Sequence, residues 1–203
     1  MEQRSDEWFA ARVGKVTASR VADVIAKTKS GYSASRDKYA GELIAEILTG
    51  QSAPSFSNAA MQWGTDTEPQ ARAAYEFLTD VEVVEVGLID HPTVEMSAAS
   101  PDGLVGDDGM VEIKCPNTST HIDTVVSQKV PGKYNTQMQW QMACAGRKWC
   151  DFVSFDPRLP AEYQMFCKRV ERDDQFIAEL EEAISEFHNE IQTKIDKLKE
   201  AIK

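Results

Sequence analysis

The spacing of apolar residues divides the chain into a helical first part, a strand-rich middle and a long final helix. Apolar positions three and four residues apart indicate helices, and capping residues and glycines indicate where they begin and end. The helices expected before the last segment begin at Ser5 and Thr17 and cover about 37–48, 59–78 and 134–146. The same spacing continues from Leu180 to Ile202 and predicts a long helix that packs on the chain's own core.

In the middle of the chain the period shortens and β-branched residues become frequent, which is typical of strands. The expected strands are 81–89, 96–100, 104–105, 110–115, 152–155 and 163–170. Gly106 through Gly109 predict a tight hairpin turn, and 29–33 and 51–58 predict loops. We therefore expect one α/β (α+β) domain over 1–203, with a mostly helical part (1–80), a sheet with helices (81–170) and a final helix (171–203).

Composition and charge exclude several classes of protein. With 42% hydrophobic and 27% charged residues, the 203-residue chain can bury a core and is not a disordered chain. Its net charge of −11 argues against a protein that coats nucleic acid with its whole surface. Residues 12–38 nevertheless carry seven basic and two acidic side chains. This basic segment is either a solvated helix face or a strip that contacts phosphates.

The cysteines and the apolar runs bear on location. Cys115, Cys144, Cys150 and Cys167 form no CxxC pair, which favours free thiols in a reducing compartment. No apolar run approaches the roughly 20 residues of a membrane span, and the charged N-terminus lacks the apolar segment of a secretory signal. We therefore expect a cytoplasmic protein that is not embedded in a membrane.

The strongest candidate chemistry lies around the hairpin. Side chains alternate along a strand, so Glu112 and Lys114 share one face while Val111, Ile113 and Cys115 suit a buried opposite face. The turn brings Asp102 back toward the same end. Two carboxylates and an ammonium would then converge, and such carboxylates are hard oxygen ligands for Mg²⁺ or Mn²⁺. The alternative is an ordinary Glu–Lys pair on a surface strand.

Pro101-Asp102 followed by Glu112-Ile113-Lys114 resembles the PD-(D/E)xK nuclease signature. The whole chain is more specifically similar to the lambda-exonuclease-like (YqaJ viral recombinase) family. The resemblance is carried, in the family's order, by Trp8 through Arg12, Val16 through Ser19, Trp63-Gly64 with Glu68, Ser100 through Leu104, Glu112 through Pro116 and Gln137 through Gln139. Phe155 through Arg158 is also similar to phage members. The resemblance implies a restriction-endonuclease-like core, in which a central mixed sheet is flanked by helices.

The resemblance assigns a role to each candidate. Asp102, Glu112 and the Ile113 carbonyl would bind metal, Lys114 would be the catalytic lysine, and Glu68 would complete the metal site from a helix. Spacing alone favours a solvent-facing helix residue at Glu68. Gln137 or Gln139 would lie near the site, and we favour Gln137. The two lie about 200° apart on a helix, so only one can face the site.

The family's DNA-binding positions fall in the basic segment. Arg12 and Ser19 would hold the 5′-terminal phosphate, with Thr17 beside them and Ser19 at a helix N-terminus. Lys29 stands where lambda-type members offer an arginine, so the charge is kept but the fork geometry is lost. Met61 is either a wedge that separates the DNA strands or a core methionine.

By this resemblance we expect a Mg²⁺-dependent 5′→3′ exonuclease that degrades one strand of linear double-stranded DNA. It would release 5′-mononucleotides and leave 3′ single strands for recombination by annealing. The family implies two metal ions per site, with Mn²⁺ as a substitute, a toroidal homotrimer, a single-strand-annealing recombinase as partner, and phage or prophage origin in a bacterial host. The alternatives are an endonuclease of restriction or repair type and a non-catalytic subunit that binds DNA ends.

Overall fold

A mixed five-stranded sheet forms the centre of the fold, and the computed structural model describes it within residues 1–53 and 58–202. The strands of this sheet are β4 (Val83–Val84), β7 (Gly103–Val105), β8 (Gly109–Lys114), β9 (Trp149–Phe155) and β10 (Met165–Glu171). Their order in the sheet is β10-β9-β8-β7-β4, and only the β8–β9 pair is parallel. Sequence and structure agree on the expected mixed sheet.

The described residues also form two smaller sheets, one of three strands and one of two. Strand β1 (Val16–Thr17) pairs in parallel with β6 (Ser97–Ala99), which pairs with β5 (Ile89–Asp90). A two-stranded hairpin joins β2 (Lys27–Thr28) and β3 (Gly31–Tyr32). The three-stranded sheet places β1 beside β6, the strand that precedes β7 in the sequence.

Helices of the described residues cover both faces of the sheet. They are α1 (Asp6–Arg12), α2 (Val21–Ile25), α3 (Ala34–Thr49), α4 (Ala59–Thr79), α5 (Thr118–Ser127), α6 (Gly132–Ala145) and α7 (Asp174–Ala201). None of them, within 1–53 and 58–202, has the length and apolar composition that crossing a bilayer requires.

The core is layered around the central sheet. Ala71 and Tyr75 of α4 pack with Val111, Ile113 and Val153 on one face. Met138 and Met142 of α6 cover the other face together with Met110 and Phe152. The far side of α6 packs against α2, α3 and the apolar stripe of α7. Alternation along β8 therefore sends successive side chains into two different cores, so both of its faces are buried.

Several predicted elements differ from the structure. Residues 81–89 are not one strand: they contain β4 and the first residue of β5, which belong to different sheets, and Glu85 through Leu88 lie in neither strand. The expected loop over 29–33 lies largely within the β2–β3 hairpin. Helix α5, which begins at the cap Asn117, was not predicted from the polar sequence that contains it. The loop predicted over 51–58 lies partly outside the described residues.

The helix predicted to begin at Thr17 is wrong, because Thr17 ends β1 and α2 begins only at Val21. The other capping predictions and the turn prediction are confirmed. The Ser5 side chain accepts a hydrogen bond from the Trp8 backbone N–H at the start of α1. Gly50 ends α3 in the left-handed conformation, and Gly106 adopts a φ of +54° in the β7–β8 turn. All four cysteines are free, and Cys167 alone is exposed.

Candidate active site

The β7–β8 hairpin brings the two predicted carboxylates together. Asp102 immediately precedes β7, and its Oδ2 accepts a hydrogen bond of 2.7 Å from the Ile113 backbone N–H on β8. Glu112 lies in the middle of β8 with its side chain fully buried. The antiparallel register that pairs Gly103 with Val111 holds this geometry.

Three side chains bind the buried Glu112 carboxylate. Lys114 forms an ion pair with Oε1. Gln137 Nε2 donates to the same oxygen at 2.6 Å, and Gln141 Nε2 donates to Oε2 at 2.6 Å. A buried carboxylate is costly unless it is paired and hydrogen-bonded, and here α6 supplies two of the three donors. The pair is therefore not the surface Glu–Lys pair that the sequence left open.

The pKa values of Asp102 and Lys114 are both raised at this centre. Burial and the neighbouring charge of Glu112 raise the pKa of Asp102 well above its usual range. Burial lowers the pKa of Lys114, but the carboxylates of Glu112 and Asp102 outweigh burial and raise it above its usual value. The centre therefore concentrates negative charge at a place that favours a cation.

Glu68 approaches this centre from α4. Its charge is among the influences that raise the pKa of Asp102, after burial and Glu112. Its two oxygens are held by Arg4 at 2.8 Å and by Arg72 at 3.1 Å, and its side chain is 16% exposed. Glu68 is thus a paired, mostly buried residue rather than a solvent-facing one.

The donor chemistry at the centre fits Mg²⁺ or Mn²⁺. Asp102, Glu112, Glu68 and the Ile113 carbonyl all offer oxygen, the ligand atom that these ions prefer. Across 1–53 and 58–202, no three His, Cys, Asp or Glu side chains converge closely enough to form a ready-made metal cage. The fit to the ion thus rests on the type of donor atom, which is oxygen in every case. Lys114 and the α6 glutamines hold Glu112 in place.

A small pocket of about 160 Å³ adjoins the carboxylates. Its lining includes Arg4, Trp8, Arg12, Thr17, Ser19, Ser100 and Gln137. Gln137 therefore belongs both to the pocket and to the shell around Glu112. The pocket is basic and rich in hydroxyl groups, which suits an anionic group such as a phosphate.

Helix α1 positions Arg12 in this pocket. The Arg12 guanidinium lies 4.0 Å over the Trp8 ring, and its Nη2 donates to Thr17 Oγ1 at 3.4 Å. Trp8 Nε1 in turn donates to Ser100 Oγ at 2.9 Å. Burial lowers the pKa of Arg12, yet an arginine stays charged at any physiological pH.

The other predicted phosphate ligands have different surroundings. Ser19 is exposed in a 3-10 turn (Ala18–Arg20) that leads into the five-residue α2, so its contribution is a hydroxyl group and not a helix dipole. Lys29 lies in the exposed turn of the β2–β3 hairpin and does not line the pocket. The structure therefore does not bring Lys29 together with Arg12. Met61 is 53% exposed near the start of α4, so it is not a core methionine.

Most of the residues that form this site lie in a segment of the chain that matches a known family. A model of the YqaJ-like viral recombinase domain matches residues 7–148. The chain belongs to this family. The YqaJ-family match covers the site residues from Trp8 to Gln141, and Arg4 precedes it.

Solved structures show the same fold as this YqaJ-family protein. Two crystal structures of LHK-Exo, an alkaline exonuclease from Laribacter hongkongensis, are 57% identical in sequence and cover 98% of both chains. The one in complex with dAMP gives a TM-score of 0.92 and the other 0.91. A phage related exonuclease from Haemophilus somnus 129PT, 16% identical over 93% of this chain and 96% of its own, gives 0.72 and shows the fold alone.

A curated relative is much longer. Uncharacterized protein R354 of Acanthamoeba polyphaga mimivirus is 27% identical in an alignment 169 residues long that covers 75% of this chain. The match spans only 29% of that relative's own length. The chain therefore spans less than a third of the length of this curated relative.

Two residues at the YqaJ-family site were not predicted from the sequence. Gln141 lies four residues after Gln137, on the same helix face, and that spacing could have indicated it. Arg4 holds Glu68 across 64 residues of sequence, and no local pattern predicts such a contact. Gln139 turns away from Glu112, as its angle on the helix requires, and donates to the Glu171 carbonyl at 2.8 Å.

Proposed function

We propose that this protein is a metal-dependent 5′→3′ exonuclease that degrades one strand of linear double-stranded DNA. It would release 5′-mononucleotides and leave 3′ single strands for recombination by annealing. The observation that carries the proposal is the position of Gln137, which lines the basic pocket and also donates to Glu112. A terminal phosphate held in the pocket would lie directly beside the carboxylate centre.

The similarity to known proteins supports a nuclease that acts on DNA. The chain is a YqaJ-family protein and is 57% identical to an alkaline exonuclease over nearly its whole length. One structure of that exonuclease holds dAMP, a 5′-mononucleotide. This is the class of product that stepwise cleavage from a 5′ end would release.

The pocket residues would bind and orient the 5′ end. Arg12 presents a guanidinium whose plane is fixed by Trp8 and Thr17, and such a fork binds two phosphate oxygens at once. Ser19 and Thr17 would add hydroxyl donors. Lys29 would contribute only through its charge, because it lies on the β2–β3 hairpin and outside the pocket lining.

Asp102, Glu112, Glu68 and the Ile113 carbonyl would hold Mg²⁺, or Mn²⁺ in its place, as two ions per site. When bound, such ions polarise a phosphoryl oxygen and activate water. Lys114 would orient the attacking water or neutralise the charge that develops on the phosphate. Its pairing with Glu112 keeps the ammonium at the centre and raises its pKa, so it would act as a cation.

The wider parts of the proposal concern the assembly. A toroidal homotrimer would enclose the duplex, and Met61, exposed near the start of α4, would act as the wedge between strands. A single-strand-annealing recombinase would load on the product. We place this activity in the cytoplasm of a bacterial host, with a phage or prophage as its source.

The test compares digestion of linear duplex DNA by the wild type, Asp102→Ala and Lys114→Ala with Mg²⁺ present and with EDTA. Each substitution should lower the rate by about 100-fold or more, since each removes a group that acts on the reacting phosphate. Duplexes labelled at either end report polarity, and the label at the 5′ end should be released first.

The matched control is Lys148→Ala, which removes a lysine from an exposed ion pair with Asp108 in the turn of the same hairpin. Its activity should equal that of the wild type. Full activity of Asp102→Ala or Lys114→Ala would refute the site assignment, and prior release of the 3′ label would refute the polarity.

A further inference from the structure

An arginine outside the pocket and the carboxylate centre is held in an unusually fixed position. Asp156 follows β9 and its side chain is fully buried. The Arg158 backbone N–H and Nε donate to Asp156 Oδ1 at 3.0 and 2.7 Å, and Nη2 donates to Oδ2 at 2.9 Å. This two-pronged pairing fixes the plane of the guanidinium before any ligand arrives.

The same guanidinium lies at the active-site end of the sheet. Its Nη2 also reaches the Pro116 carbonyl at 3.3 Å, two residues after Lys114. Its Cζ lies 4.3 Å over the Trp63 ring, on the helix that carries Met61 and Glu68. In the parallel register Lys114 pairs with Ser154, so the strand ends that carry Lys114 and Asp156 emerge side by side.

Arg158 is nevertheless open to solvent. Its side chain is 44% exposed, although the Asp156 carboxylate beneath it is fully buried. No residue among those that the structure describes accepts a hydrogen bond from Nη1. A fixed cation with a free donor pair costs little conformational entropy when it binds an anion.

We infer that Arg158 binds a backbone phosphate of the DNA substrate next to the carboxylate centre, outside the pocket for the 5′ end. The inference rests on the proposed function, because DNA is the ligand. Arg158 would bind the phosphate through its charge and the two hydrogens of Nη1. Such contacts position the nucleic acid without reading its sequence.

The chain contains a second arginine of nearly identical construction, which serves as a control. Arg169 Nε and Nη2 donate to Asp151 at 2.8 and 2.9 Å, and its Cζ lies 3.5 Å over the Trp149 ring. Its side chain is 49% exposed over a buried aspartate. Asp151 and Trp149, however, lie toward the opposite end of β9, away from Lys114.

The experiment measures equilibrium binding of a fluorescent, 5′-phosphorylated linear duplex by anisotropy in EDTA between 50 and 200 mM KCl, roughly the range in which phosphate contacts dominate the affinity. The paired variants are Asp156→Asn/Arg158→Gln and Asp151→Asn/Arg169→Gln, each of which removes the buried charge together with its arginine. A denaturing gel after each titration establishes that the duplex is intact.

We expect the first variant to flatten the slope of log K against log [salt] by about 0.9, the value for one lost phosphate contact. The second variant should keep the wild-type slope. Unchanged binding by the first variant, or equal flattening by both, would overturn the inference, since neither result singles out Arg158.

If the first variant does not fold, Arg158→Lys and Arg169→Lys replace the pair, since each keeps a cation beside its aspartate. Weaker binding by Arg158→Lys alone supports the inference, and equal binding by both and the wild type overturns it. A wild-type protein that binds duplex without cutting it in Mg²⁺ refutes only the exonuclease. One that does not bind duplex overturns both proposals.

Discussion

Glu112 shows how much local structure a single buried carboxylate demands. Its two oxygens accept from Lys114, Gln137 and Gln141, and no part of its side chain is exposed. Removing one partner of such a group leaves a buried charge undersatisfied, which costs more than an average hydrogen bond contributes. The α6 glutamines therefore serve the fold as well as the proposed chemistry.

At this scale the sequence predicted positions better than partners. Alternation placed Glu112 and Lys114 on one strand face, and the hairpin glycines placed Asp102 nearby, because both rules are local. That α6 would bury this face, and that Arg4 would bind Glu68, depends on contacts between distant segments. No periodicity within one element encodes them.

The two glutamines of the Gln-x-Gln pair give a test at the scale of the residue. Gln137→Ala should lower the rate of DNA hydrolysis by about 10- to 100-fold, because Glu112 loses a donor that orients it. Gln139→Ala should leave the rate unchanged but lower the free energy of unfolding by about 1–3 kcal/mol. It removes a buried amide bonded to Glu171 and to the Asp173 backbone N–H.

Initial rates on linear duplex and urea unfolding of both proteins separate the two effects. An activity loss confined to Gln139→Ala would contradict this assignment of the glutamines.

At the scale of elements, long periodic segments were predicted well and short ones poorly. The stripe of α7 and the capping residue of α1 carry strong signals, and both helices are present with nearly the expected bounds. The 81–89 segment has strand-forming residues throughout, but its pairing partners lie in two separate sheets. Strand propensity describes a suitable surface and does not choose the partner.

Helix α7 gives the test at this scale. Ile184 is fully buried against the α2, α3 and α6 core, so Ile184→Ala should lower the free energy of unfolding by about 2–5 kcal/mol. Leu198 belongs to the same stripe but is 49% exposed, and Leu198→Ala should change it by about 0.5 kcal/mol or less. Urea unfolding measures both, and equal losses would contradict packing of α7 on the chain's own core.

At the scale of the whole molecule, charge is divided unevenly. The net charge is −11, yet the basic segment 12–38 contributes Arg12 to the pocket, while the carboxylates lie together at the centre. A surface of this kind cannot hold DNA by general attraction. Local contacts combined with enclosure of the duplex in a ring would satisfy the constraint.

The ring is tested by mass and by substrate shape together. Sedimentation should give three times the mass of the chain, and linear duplex should be degraded while closed circular duplex of the same sequence stays intact. The circle has no end to enter a ring or the pocket. A monomer at working concentration would contradict the ring, and nicking or cutting of the circle would instead favour an endonuclease.

The parallel pairing of β8 with β9 also governs the order in which the chain can fold during its synthesis. Strand β8 ends at Lys114, but its central neighbour begins only at Trp149, after α5 and α6. Contacts between segments this far apart in sequence form slowly. A nascent chain that has just exposed Glu112 has neither α6 nor β9 with which to cover it. Assembly of the carboxylate centre therefore waits until the chain as far as the end of β9 has emerged from the ribosome.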